Sequence, residues 1–344
     1  MPTDNKLAIK KFNIIDFTKL FFAICVVGIH SGLATALPDK ANWYVMQLIF
    51  RMAVPFFFVT SGYFVGRKLC NSSGKSERVT ICRIYVRKLV VPLLFWGSIG
   101  LIFYAIPLVT NGEKMIALRV IQCALFYPQG AMWFVLACIV AVCIIVLLWN
   151  HKGLLAIIGG GGYVFALLCN TYYFLVEGTI LQAPIDIYMK VFINARNGIF
   201  IGVIFIGMGV WLSNNSNLIK RWKTSTVFVL FLILYAVLFA EVVYTYGKNM
   251  LDSGTLYATM PFLATIMLEL CKRIGVNASE KMSLAARSLS VGIYFTHRNI
   301  ISLITIIAPK MNSICLFFMA IFLAVVIWII TRQSKSKFIR SVLP

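Results

Sequence analysis

The chain contains ten runs of mostly apolar residues, separated by short polar or charged segments. A helix needs about 20 mostly apolar residues to cross a bilayer, and these runs are continuous rather than alternating, which argues against membrane strands. We therefore predict an all-α, polytopic integral membrane bundle of about ten transmembrane helices that forms one domain over residues 1–344. The predicted spans lie near 13–33, 43–65, 89–109, 131–149, 153–175, 197–213, 225–246, 255–271, 288–308 and 313–331.

Three segments of the pattern are less regular than the others. The span at 153–175 contains four successive glycines at 159–162, which either allow close helix packing or break the helix. Segment 110–130 is mixed in polarity and predicts a helix that lies along the outer membrane surface. Segment 176–196 is expected to form part of a lid or vestibule. The first span is expected to persist as a helix rather than to be cleaved as a signal peptide.

The composition supports a membrane protein and excludes other classes. Hydrophobic residues make up 60% of the chain and charged residues 12%, and the mean hydropathy is +0.89. A soluble domain carries about twice that share of charge, and a disordered chain far less apolar surface. The net charge of +21 does not predict a nucleic-acid partner, because the basic residues form short clusters between apolar runs. The nine cysteines show no C-x-x-C pair, so no metal is expected.

The basic clusters predict the orientation of the helices. If the N-terminus is inside, 22 Lys and Arg residues lie on the cytoplasmic side and 7 lie outside. An excess of this size on one side is a strong topology signal. We therefore predict that both termini are cytoplasmic and that membrane lipids surround the chain.

The first span carries three polar residues, Asp16, Lys19 and His30. Eleven positions turn an α-helix by about 1100°, only about 20° beyond three full turns, so Lys19 and His30 share one face about 16 Å apart. Asp16 lies within pairing distance of Lys19. The imidazole is suited to general-base chemistry. The alternative is a structural Asp–Lys pair with a hydrogen-bonded interfacial histidine, and the spacing leaves both open.

Two further spans contain polar residues at membrane depth. The second span carries Arg51, Ser61 and Tyr63, which indicate either a polar cavity or a kinked packing helix with an Arg side chain that reaches the interface. The ninth span carries His297 beside Arg298. Charge is costly there, so this pair indicates either a polar cavity or a position at the outer interface.

Residues near the membrane surfaces complete the set of candidates. Glu241 lies late in the seventh span, where a carboxylate could orient the histidine of the first span. Trp133 opens the fourth span and is typical of an aromatic belt. Arg83, Arg87 and Lys88 precede the third span, and they favour binding to anionic lipid headgroups over the phosphates of a nucleotide cofactor.

Several of these motifs together resemble the membrane acyltransferase-3 family. The Lys19-x10-His30 pair resembles that family's Arg/Lys-x10-His signature, and other motifs follow in the family's order over nearly the whole chain. They are the Arg51 helix with Val54-Pro-Phe-Phe-Phe58 and Ser61-Gly-Tyr63, then Met132-Trp133-Phe134, Arg196-Asn197-Gly198, and Ser290-Val-Gly-Ile-Tyr294-Phe-Thr-His297.

The resemblance implies a multi-pass enzyme of the bacterial cytoplasmic membrane. Such enzymes move acyl groups, often acetyl, from cytoplasmic acyl-CoA to an envelope carbohydrate or similar outward-facing acceptor. His30 matches the family's catalytic histidine and Lys19 its motif partner, with Glu241 as a further catalytic candidate. Arg83, Arg87 and Lys88 match the segment that meets CoA. The expected binding residues for the acceptor are Asp16, Arg51, Ser61, Tyr63, Trp133, Arg196, Asn197, Tyr294 and His297.

A second branch of the family gives an alternative. The membrane domain of vancomycin-resistance serine racemases is similar and is thought to take up L-serine. On this interpretation Arg51, Arg196 and Glu241 would pair with the carboxylate and ammonium groups of an amino acid. The chain would then be the membrane half of a larger protein rather than a stand-alone acyltransferase. The oligomeric state is left open, with a homodimer as one expectation.

Overall fold

Helices account for all regular structure in the part of the chain that the structure, a computed structural model, describes: residues 13–251, 255–276 and 278–343. The cluster of basic residues before the first span lies outside this part. The α-helices are α1 (Asn13–Ser31), α2 (Asp39–Leu48), α3 (Ala53–Cys70), α4 (Lys75–Thr110), α5 (Ile116–Phe126), α6 (Trp133–Leu147), α7 (Lys152–Leu168), α8 (Gln182–Phe192), α9 (Val203–Asn214), α10 (Ser216–Ile219), α11 (Thr224–Thr245), α12 (Met260–Arg273), α13 (Glu280–Ile307), α14 (Ser313–Gln333) and α15 (Lys337–Val342).

Each of the ten predicted spans overlaps a helix, which confirms the all-α membrane bundle. Within the described residues, six segments are long and apolar enough to cross a membrane by length and composition. Four further apolar helices are shorter, such as the 15 residues of α6, which reach only about 22 Å. The number of crossings and the cytoplasmic termini therefore stay predictions. The six are Ile14–Ser31, Asp39–Cys70, Lys75–Thr110, Thr224–Thr245, Glu280–Ile307 and Ser313–Gln333.

The glycine run of α7 does not break the helix, which continues through it. A Cβ atom at Gly162 would lie 3.2 Å from the Cα atom of Phe200, whereas one at Gly160 would meet open space. The close-packing interpretation is therefore correct for one side of the run. The mixed segment 110–130 contains α5, and the segment 176–196 contains α8. A hydrogen bond of 3.3 Å from Gln122 to a backbone carbonyl of α8 links the two.

The second predicted span is interrupted rather than continuous. It consists of α2, a 3-10 turn at Phe50–Met52, and α3. Pro55 lies in the first turn of α3, where a missing backbone N–H leaves no intrahelical bond unmade. The turn places Arg51 at the junction between the two helices. The second span therefore supplies a polar residue at a break in the helix, in contrast to the single kinked helix that the alternative interpretation predicted.

Helices α1 and α13 pack side by side and run in the same direction. Asp16, near the start of α1, bonds to Ser283 and Arg287 in the first third of α13. His30, near the end of α1, contacts His297 further along α13. The contacting positions move toward the C-terminal end of both helices together, over about 21 Å of α1. The two helices are therefore parallel. This pairing brings the candidate residues of the first and ninth spans to one place.

Candidate functional site

The centre of the candidate site is a pair of imidazole rings from α1 and α13. The ring centres of His30 and His297 are 5.2 Å apart, and the ring planes are inclined by 34°. His297 is completely buried, and His30 is half-buried. The burial of the His297 side chain excludes the position at the outer interface and leaves a place in the interior of the bundle.

The hydrogen bonds of His297 fix which of its ring nitrogens carries the proton. Its Nδ1 lies 2.7 Å from the carbonyl oxygen of Tyr294 and 3.0 Å from that of Ile293. A carbonyl oxygen only accepts, so Nδ1 is the donor and the neutral ring keeps a lone pair at Nε2. That Nε2 atom is buried, and no described residue bonds to it. Buried polar atoms are almost always hydrogen-bonded, so this acceptor is available to another group.

Tyr294 ties the site to the turn before α6. Its hydroxyl donates a hydrogen bond of 3.0 Å to the carbonyl oxygen of Ala131. Ala131 adopts a φ of 64°, a left-handed conformation that is uncommon for a residue with a Cβ atom. Gly130, just before it, has a φ of 70°. The tyrosine bond therefore helps to hold a strained turn whose conformation sets the start of α6.

A small cavity lies beside His30 and contains two arginines. Its volume is about 40 Å³, which is room for a group the size of one water molecule. Arg51 reaches it from the turn between α2 and α3, and Arg196 reaches it from the segment after α8. Ile29, the residue before His30 on α1, lines the same cavity. The other lining residues are Ile29, Val54, Pro55, Phe58, Trp133, Ile201, Phe205, Thr255 and Leu256.

Arg196 lies against two neighbouring aromatic rings. Its Cζ atom lies 5.3 Å from the ring centre of Trp133 and 5.4 Å from that of Tyr127. These two rings are nearly parallel, with centres 5.9 Å apart, and Asn194 accepts a hydrogen bond of 3.1 Å from the Nε atom. Trp133 is buried, so it orients a guanidinium group and the aromatic-belt interpretation is wrong.

The predicted ion pair between Asp16 and Lys19 is not formed. The Asp16 carboxylate instead accepts two hydrogen bonds of 2.9 Å from Arg287 and one of 2.6 Å from Ser283. Arg287 is a stronger partner than Lys19 because its planar guanidinium group binds both carboxylate oxygens at once. Lys19 is half-buried near this pair, about 16 Å along α1 from His30. Asp16 and Lys19 therefore lie outside the immediate surroundings of the histidines.

Glu241 is also placed differently from the prediction. Its carboxylate accepts hydrogen bonds from the hydroxyl groups of Tyr172 and Thr259. It also accepts the backbone N–H groups of Ala258, at 3.0 Å, and Thr259, at 3.1 Å. The three donors of Ala258 and Thr259 fix the chain just before α12, and Tyr172 belongs to the segment after α7. The predicted contact with His30 is wrong, because the carboxylate is already occupied by these groups.

Three more of the predicted binding residues lie away from the histidines. The Ser61 side chain lies beside Tyr85 of α4. The Tyr63 ring lies under the ammonium group of Lys272, 4.7 Å from its centre. Asn197 caps the π-helical segment Gly198–Gly202 with its side-chain oxygen. These contacts stabilise the helices that carry the site.

Asn197 has a second contact, which links it to α8. Its amide group donates a hydrogen bond of 3.1 Å to the hydroxyl oxygen of Tyr188. Burial raises the pKa of Tyr188 to about 12, so this hydroxyl keeps its proton at neutral pH. The bond holds the segment that carries Arg196 against α8.

The basic segment before the third span is helical rather than a loop. Arg83, Arg87 and Lys88 are exposed on the first half of α4, which begins at Lys75. Arg83 and Arg87 are four residues apart and so lie on the same face. The choice between lipid headgroups and cofactor phosphates stays a prediction.

The sequence interpretation missed four residues that shape the site. Ser283 and Arg287 bind Asp16. The Tyr127 ring is one of the two rings against which Arg196 lies. Asn299 donates a hydrogen bond of 3.0 Å to the carbonyl oxygen of Trp96. The spacing of four between Ser283 and Arg287, on a helix that also carries His297, was the signal that could have identified the first two.

Comparisons with known proteins identify the family to which the chain belongs. The profile of the acyltransferase-3 family, described as an acyltransferase domain, matches residues 12–333. A "Serine/alanine racemase" of Enterococcus gallinarum is 23% identical over 326 residues, which is 88% of this chain and 45% of the relative. An "Amino-acid racemase" of Enterococcus faecalis is 24% identical over 235 residues, which is 66% of this chain and 31% of the relative. The chain thus spans less than half the length of these relatives. No solved structure is detectably similar.

Proposed function

Because the chain belongs to the acyltransferase-3 family, we propose that it is an integral membrane O-acyltransferase of the bacterial plasma membrane. The donor is cytoplasmic acyl-CoA, with acetyl-CoA as the first candidate. The acceptor is a hydroxyl group of an envelope carbohydrate or a similar outward-facing compound. The observation that carries the proposal is the buried contact of His30 with His297 beside the two arginines of the cavity.

His30 acts as the general base in this proposal. Imidazole is the side chain best matched to proton transfer near neutral pH. His30 takes the proton of the acceptor hydroxyl, and the oxygen forms a bond to the acyl carbon of the thioester. The carbon–sulfur bond then breaks, and the CoA thiolate leaves and takes the proton from the imidazolium. The products are the ester and free CoA, and His30 returns to its neutral form.

Arg51 and Arg196 supply positive charge at the same place. The acyl oxygen gains negative charge as the acceptor attacks, and fixed donors at that position are a major source of catalysis. The cavity of about 40 Å³ that both arginines line fits one oxygen-sized group. The rings of Tyr127 and Trp133 beside Arg196 restrict the orientation of its guanidinium group. This restriction favours preorganised binding of the oxyanion.

The exposed basic face of α4 provides a place for the CoA phosphates. Arg83 and Arg87 project from the same helix face, with Lys88 beside them. Guanidinium groups bind phosphate oxygens through paired hydrogen bonds. Lys19, near the Asp16–Arg287 pair, lies between this end of the bundle and His30 along α1. We propose that the thioester passes Lys19 on its way to the histidines.

The test is acyl transfer by the purified protein in lipid, with acetyl-CoA and a panel of hydroxyl acceptors, water included. His30→Asn is expected to lower kcat at least about 100-fold. His151→Asn is the matched control, because this exposed histidine precedes α7, and it should retain full activity. Absence of any acyl-CoA-dependent turnover in the wild-type protein would overturn the proposed function. Full activity of His30→Asn would overturn the role of the histidine.

A second candidate function follows from the names of the relatives. They are racemases that are more than twice as long as the matched region, so the chain would correspond to their membrane portion. On this proposal the two arginines bind the carboxylate of L-serine during uptake. Serine entry into proteoliposomes without acyl-CoA, lost in Arg51→Gln, would favour it. Lack of uptake with intact acyl transfer would exclude it.

A further inference from the structure

The buried lone pair of His297 has no part in the mechanism described above. Its Nδ1 proton is held by two carbonyl oxygens of its own helix, so the ring cannot flip without the loss of both bonds. Nε2 is therefore a fixed acceptor, with no hydrogen bond to the described residues. An acceptor held in this way costs free energy unless a donor reaches it.

The neighbouring ring of His30 is at the right distance to supply that donor. Two imidazoles joined by an N–H···N hydrogen bond of about 2.9 Å have ring centres about 5 Å apart. The observed separation is 5.2 Å. The two planes are inclined by 34°, so a hydrogen bond to Nε2 requires the His30 ring to turn about its last torsion, which has broad minima.

We propose that His297 is the positioning residue for His30, whose N–H group it accepts at Nε2. This inference rests on the proposed acyltransferase function. The bond assigns the tautomer of His30: the nitrogen that faces His297 carries the proton, and the other nitrogen keeps the lone pair that takes the hydroxyl proton. When His30 becomes an imidazolium, the same bond becomes charge-assisted and stronger. A neutral histidine thus does for His30 what a carboxylate does for the base of a serine hydrolase.

Two substitutions separate this role from a structural one. His297→Asn keeps a donor near Nδ1 for the two helix carbonyls and removes the acceptor at Nε2. His297→Gln places an amide oxygen near Nε2 and gives up the helix bonds. A positioning role predicts that kcat falls about 100-fold in the Asn variant and only about 10-fold in the Gln variant, with the KM for acyl-CoA unchanged in both. A structural role predicts the reverse order.

The tautomers can be measured without any activity. The chain has three histidines, so selective ¹⁵N-histidine labelling of the protein in lipid gives three residues that single variants assign. The expected spectrum shows His297 protonated at Nδ1 only, and His30 in one neutral tautomer that becomes a mixture in His297→Asn but not in His297→Gln. His30 signals identical in all three proteins would overturn the positioning role, even in a protein that transfers acyl groups. Wild-type inactivity with the expected spectrum would instead count against the proposed function alone.

Discussion

Asp16 of α1 and Arg287 of α13 are joined by two parallel hydrogen bonds of 2.9 Å each. The carboxylate is buried, while about half of the arginine side chain is exposed. Because the guanidinium group holds both oxygens, the bond pair fixes the axial register of one helix against the other. That register determines which residue of α13 faces His30.

We expect Arg287→Gln to lower the free energy of unfolding by about 1–3 kcal/mol, since it leaves a buried carboxylate with fewer donors. The half-exposed arginine keeps the loss below that of a fully buried pair. Thermal unfolding in detergent micelles measures the change. Lys281→Gln, an exposed position on the same helix, is the control and should melt like the wild type. Equal melting of both variants would contradict the importance of the pair.

Glu241→Gln should reduce stability without impairing catalysis. The amide offers one acceptor oxygen in place of two, so at least one of the four donors to Glu241 loses its partner. We expect a loss of about 1–2 kcal/mol and unchanged kcat per folded molecule. Glu113→Gln, at an exposed surface pair, serves as the control. A kcat that collapses while the melting temperature holds would restore Glu241 as a catalytic residue.

The contact of α3 with α9 depends on two glycines. A Cβ atom at Gly62 would overlap the carbonyl oxygen of Ile206, and one at Gly209 would overlap that of Val59. Gly62→Ala and Gly209→Ala should each destabilise the bundle by about 3 kcal/mol. Gly207→Ala on the same helix meets open space and should be neutral or slightly stabilising. Thermal unfolding of the three variants tests the difference, and three equal melting temperatures would contradict it.

Lysine should not replace the arginines of the cavity. Arg51→Lys and Arg196→Lys keep the charge but lose the planar guanidinium group. That group can stack on aromatic rings and donate two parallel hydrogen bonds. We expect kcat to fall at least about 100-fold in each, with little change in the KM for acyl-CoA. Arg119→Lys, at an exposed position, is the control. If the KM rose with kcat unchanged, the arginines would serve substrate binding instead of the transition state.

The hydrophobic pattern predicted ten spans, and each overlaps a helix, because membrane helices must be long and apolar. It could not predict which faces are buried, since lipid and protein interior are equally apolar. Trp133 is an example, because a tryptophan at the start of a span can be a belt residue or, as observed, a buried ring that packs against Arg196. The break at Phe50–Met52 also left no clear mark, because the residues around it are apolar.

Local spacing predicted the site only where both residues share a helix. The eleven-residue interval places Lys19 and His30 on one face of α1, but the two lie about 16 Å apart and only His30 contacts His297. The partner of Asp16 lies 271 positions away, and no helical periodicity connects such residues. The sequence therefore predicted Lys19, the nearest cation along the helix, as the partner of Asp16. The tertiary fold brings Arg287 to the carboxylate instead. The contact of His30 with His297 likewise depends on the packing of two distant helices.

The fastening of α1 to α13 at two levels constrains how the enzyme could open. An axial shift of α1 against α13 by one residue, about 1.5 Å, would break the hydrogen bonds of Asp16. The same shift would move His30 out of contact with His297. We therefore expect the two helices to move together. In the proposed acyltransferase, the elements that carry Arg51, Arg196 and Trp133 would then supply the opening for the acceptor.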